Sequence, residues 1–156
     1  MFFWKINSLK EHLINHGLSQ KHLFVYIFIY TVLAELMYEA IYHMPIYEMN
    51  IYDYAQSISN IIIISLGTYI IYRANGGSNG KQFAERYFSI GFVIAIRFII
   101  LLFFVFLALS FIWFNDSSES ELVTVWYEFI IYTGCIIGLY WRIVVHVKDV
   151  ADKSTA

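Results

Sequence analysis

Glu35, Glu39, Arg97 and Glu128 are charged residues set inside otherwise apolar stretches, where an ion is costly and needs a partner. A guanidinium offers a planar fork of N–H donors that suits carboxylates, so Arg97 is expected to pair with one or two of the three Glu residues. Asn60 and Tyr132 add neutral hydrogen-bonding groups to the same set. Three carboxylates against one Arg leave two negative charges in excess, and in a low-dielectric site at least one carboxyl would hold a proton or an external cation. The chemistry open to such a set is proton or cation handling, binding of an organic cation, or no more than a buried ion pair that fixes helix register. The last use is the commonest for such pairs.

Helices must position these residues. A membrane span needs about 20 mostly apolar residues. Four stretches qualify: 23–42, 54–72, 87–114 and 122–147. At 1.5 Å per residue, Glu35 lies about 20 Å from Lys21 and Arg97 about 16 Å from Arg86. Asn60 and Glu128 lie about 10 Å in from the opposite side by the same rise. The heights match, which predicts an all-α integral membrane protein with four helices in a bundle around one shared polar layer. Gly134 and Gly138, one turn apart on the fourth span, form a small-xxx-small face that lets another helix approach closely. The neighbour is a helix of the same chain or of a second copy, and the unmatched charge favours a homo-oligomer.

Orientation follows from the basic residues. No Lys or Arg lies between Lys21 and Arg73 or between Arg97 and Arg142, while 73–86 carries Arg73, Lys81 and Arg86. Both termini and the middle loop therefore belong in the cytoplasm, with 44–53 and 115–121 outside, as in a cell inner membrane. Phe2, Ile6, Leu9 and Leu13 recur at helical spacing, so residues 1–18 read as an amphipathic helix lying on the inner leaflet. Gly17 is placed to end it and Ser19 to cap the next helix. The first residues lack a signal-peptide pattern.

At 60% hydrophobic and 20% aromatic residues, the 156-residue chain is a single membrane domain, and a net charge of −2 gives no reason to expect nucleic acid. No metal or other cofactor is expected. Cys135 is alone, and a haem between His22 and His146 or copper at His43, Met44 and Met49 is less plausible than chance placement. Gly-Gly-Ser-Asn-Gly-Lys, ending at Lys81, lacks the Ser/Thr and the strand–helix setting of a phosphate loop. No Ser-His-Asp set or zinc-protease motif occurs, so an enzyme is not expected.

The four-pass layout with Glu35 in the first span resembles small multidrug-resistance exporters. That resemblance covers topology and Glu35 only, and it implies proton–organic cation exchange by a dimer with Glu35 titrating. The functional reading preferred from the sequence is a non-enzymatic four-pass subunit acting as sensor, anchor or accessory component through a cytoplasmic or membrane protein partner. Defence and immunity components are among such subunits. The alternative is an oligomeric proton or cation channel, or a small proton-coupled transporter.

Overall fold

The computed structural model describes residues 2–42, 49–114 and 125–154. Among them the chain forms five α-helices and no strand: α1 (Ile6–Asn15), α2 (Gln20–Tyr42), α3 (Ile51–Ala74), α4 (Phe83–Phe114) and α5 (Trp126–Ser154). A single 3-10 turn, Gly77–Asn79, lies between α3 and α4. The expected 115–121 loop, His43 and Met44 lie outside the described residues.

Local sequence explains the boundaries. Gly17 adopts a left-handed φ of +68° just after α1, and the Ser19 hydroxyl accepts a 3.4 Å bond from the His22 amide. The third helix begins earlier than position 54 because Asn50 and Asp53 form a capping box. Asn50 Oδ1 accepts from the Tyr52 and Asp53 amides, and Asp53 Oδ2 accepts from the Asn50 amide at 2.8 Å. At its far end, α5 runs on to Ser154, beyond position 147, because Val147, Val150 and Ala151 are buried.

The long helices pack as a row, α2 on α4, α4 on α5 and α5 on α3, with α1 lying across α4 and α5. A bundle closed around one polar interior is not what these contacts make. One core cluster joins Leu9, Leu13, Ile71, Ile90, Val93, Val147 and Val150, all fully or almost fully buried. It sits where α3 ends, α4 begins and α5 ends. Away from it, Ile99, Phe103 and Phe104 on α4 are exposed.

Ile6, Leu9 and Leu13 correct one expectation. These side chains were placed in the leaflet by their spacing, yet they are buried against protein. Helical periodicity marks an apolar face but not whether lipid or another helix covers it. Lys10 also reaches Asp149 of α5 at 2.6 Å, and Lys153 meets the same carboxylate at 3.0 Å.

Candidate functional site

Arg97 meets the N-terminal segment. Its Nη2 donates to the Trp4 carbonyl, and the guanidinium stands 5.2 Å from the centroid of the Trp4 ring. Beside this contact the Tyr26 hydroxyl accepts from the Phe2 amide at 3.0 Å and donates to the Phe2 carbonyl at 2.9 Å. Phe3 and Tyr26 both pack edge-on to Phe92. Residues 2–4 thus lie between α2 and α4, with the Phe2 amide and carbonyl and the Trp4 carbonyl bonded by side chains.

Arg97 pairs with no carboxylate among the described residues, which corrects the expected ion pair with Glu35, Glu39 or Glu128. Two features of the helices account for this. On α2, buried Tyr26 and half-buried Tyr30 face α4, where they touch Phe92 and Phe88. At 100° per residue, Glu35 lies about 140° round from Tyr30 and Glu39 about 180°. Both carboxylates are exposed on the far side. Glu128, two residues into α5, accepts from the Val125 amide at 3.3 Å and so serves its own helix start.

Asn60 is likewise local, since its Oδ1 accepts from Gln56 Nε2 at 2.9 Å on the same helix. Tyr132 is half-buried. The six residues expected to share one network do not assemble into one. Hydroxyls fill part of that role instead. Thr68 of α3 and Tyr87 of α4 bond at 3.3 Å, and Tyr140 of α5 adjoins both.

Among the described residues of the chain, the Gly134 and Gly138 face meets no closely approaching helix. A Cβ at Gly134 would find no atom within 4 Å, and one at Gly138 would meet only the Phe98 ring, at 3.5 Å, an ordinary contact. The close helix approach lies at Gly67, where a Cβ would stand 2.7 and 2.9 Å from Cγ and Cε1 of Tyr140. A lone glycine inside an apolar helix was the available signal.

A second polar locus escaped sequence reasoning. Arg86, 3% exposed, donates Nη1 to Asn75 Oδ1 at 2.9 Å and Nη2 to the Ser154 hydroxyl at 2.8 Å. Those bonds tie together the ends of α3, α4 and α5. Asn75 in turn donates to the Lys81 carbonyl at 3.1 Å. Gly80 must lack a side chain here, because a Cβ would stand 2.6 Å from Asn75 Nδ2. An open cleft of about 1030 Å³ adjoins this junction.

Three helices, Ile51–Ala74, Phe83–Ala108 within α4 and Trp126–Ser154, are long and apolar enough to cross a membrane. With exposed apolar side chains along them, they define the class: an all-helical membrane protein. No protein-family model, curated protein or solved structure matches the chain.

Proposed function

We propose that the protein is a non-enzymatic four-pass membrane subunit that works through a protein partner seated on the outward face of α2. The observation that carries this reading is the exposure of Glu35 on an outward stripe of α2 that also holds the exposed Phe28 and Val32. Phe28, Val32, Glu35 and Glu39 follow one another at steps of four, three and four residues, so they share a stripe. Facing acyl chains, the Glu35 carboxyl would be costly whether charged or protonated. A partner that brings N–H or O–H donors, or a cation, removes that cost. A second copy of the chain is one such partner.

In this reading α2 is the fourth span, both termini and residues 75–82 lie in the cytoplasm, and the membrane is the cell inner membrane. The distribution of Lys and Arg supports that orientation. The N-terminal segment between α2 and α4 gives the subunit an element through which a signal could reach α2. An oligomeric channel would need Glu35 of several copies to line one shared water-filled path.

A photo-crosslinking residue placed at Val32, in the protein's own membranes, is expected to give one discrete adduct. Its mass distinguishes a second copy from a different protein. The same probe at Ile64, exposed on α3, is the comparison. Absence of a discrete adduct at Val32, or the same adduct pattern at both positions, would count against a partner on α2.

A further inference from the structure

Arg86 is a buried cation without an ion pair among the described residues. Its two bonded acceptors, the Asn75 amide oxygen and the Ser154 hydroxyl, are uncharged, and its Nε has no hydrogen-bond partner. The nearest carboxylate in sequence, Glu85, accepts from the Leu18 amide at 2.8 Å and reaches Arg86 through its field, without an ion pair. A buried guanidinium in this state is costly, because the Glu85 charge offsets its desolvation only in part.

The cleft beside it has the matching field. Arg73, Lys81, Arg86 and Lys148 lie along its wall against one carboxylate, Asp152, an excess of three positive charges. Arg73, Lys81 and Lys148 are exposed and therefore able to turn toward a ligand, while Arg86 is held rigid by α3 and α5. Mobile cations at the mouth and one fixed fork at the wall suit a polyvalent oxyanion better than chloride.

We infer that this cleft binds a phosphate group, either on a lipid headgroup of the facing leaflet or on a soluble ligand, with Arg86 as the fixed donor and Arg73, Lys81 and Lys148 closing over it. The site owes nothing to the glycine-rich sequence as a phosphate-loop motif; Gly80 serves by leaving room for Asn75, which positions Arg86. It is also independent of what covers α2, so either reading can fail alone.

The test uses the full chain in maltoside detergent, with thermal unfolding followed by tryptophan fluorescence. A ligand that binds only the folded state raises the melting temperature. Inorganic phosphate is compared with chloride at equal ionic strength, and short-chain phosphatidic acid with the matching diacylglycerol. A rise of several degrees is expected in at least one arm. Phosphate alone sufficing identifies a soluble ligand, and phosphatidic acid alone identifies a headgroup.

The exposed double variant Arg73→Gln/Lys148→Gln avoids the structural bonds of Arg86, and it is expected to lose most of the rise. No rise above the controls in either arm, or an undiminished rise in the double variant, overturns the proposal.

Discussion

Gly67→Leu is expected to force α3 away from α5 and to lower thermal stability in detergent markedly. The glycine backbone lies against the flat of the Tyr140 ring, so even a methyl group would come within 3 Å of ring atoms. Relief requires moving Tyr140, which also adjoins Thr68 and Tyr87. Overpacking a tight contact costs about 1–3 kcal/mol, and a Leu at a site with no room for Cβ belongs at or above the top of that range. The gain in helix propensity on replacing glycine, about 1 kcal/mol, does not offset it. At roughly 2–4 °C per kcal/mol for a chain this size, the melting temperature should fall by about 10 °C. Gly134→Leu is the control, since that position opens on empty space within the chain. Equal melting temperatures for the two variants would mean that α3 and α5 do not touch at Gly67.

The second large effect concerns α1. Leu9 is fully buried and Leu13 nearly so, both inside the cluster that joins α4 and α5. Leu9→Ala removes core volume that the rigid helices cannot close over, at a cost of about 2–5 kcal/mol. The ion pair between Lys10 and Asp149 is partly exposed, and pairs of that kind contribute about 0–1 kcal/mol. Burial therefore holds α1 in place, and the ion pair sets its register. Leu9→Ala should lower the melting temperature clearly and expose Lys5 and Lys10 to trypsin, whereas Asp149→Asn should do little of either. If Asp149→Asn frees α1 and Leu9→Ala does not, the helix is held by charge.

The existence of the helices is legible in the apolar runs, and the Gly17 stop and Ser19 start are legible in residue type. What covers each face is not. The Ile6, Leu9 and Leu13 spacing is the same for a helix on lipid and a helix on protein. On α2 two stripes compete, Tyr26 with Tyr30 and Glu35 with Glu39, and periodicity ranks neither. The aromatic stripe faces α4 because Phe88 and Phe92 stand opposite, a long-range fact that no local pattern carries. Matching heights along separate helices led to a shared network of Glu35, Asn60, Arg97 and Glu128; height leaves rotation about the helix axis open. Arg86 reads in sequence as a flanking charge, and only the approach of Asn75 and Ser154 shows it buried.

Most depends on α2 crossing the bilayer, because only there does Glu35 need a partner. Single cysteines at Met49, which follows α2, and at Ser78, which follows α3, report this directly in a Cys135→Ser background. Both positions are exposed, so a membrane-impermeant maleimide can reach them from whichever side they occupy. In intact cells the account requires Met49→Cys to be labelled and Ser78→Cys to be labelled only after permeabilisation. Protection of Met49→Cys in intact cells, with labelling of Ser78→Cys, would invert the orientation. Protection of both Met49→Cys and Ser78→Cys until permeabilisation would place both ends of α2 on one side and remove the reason for a partner at Glu35.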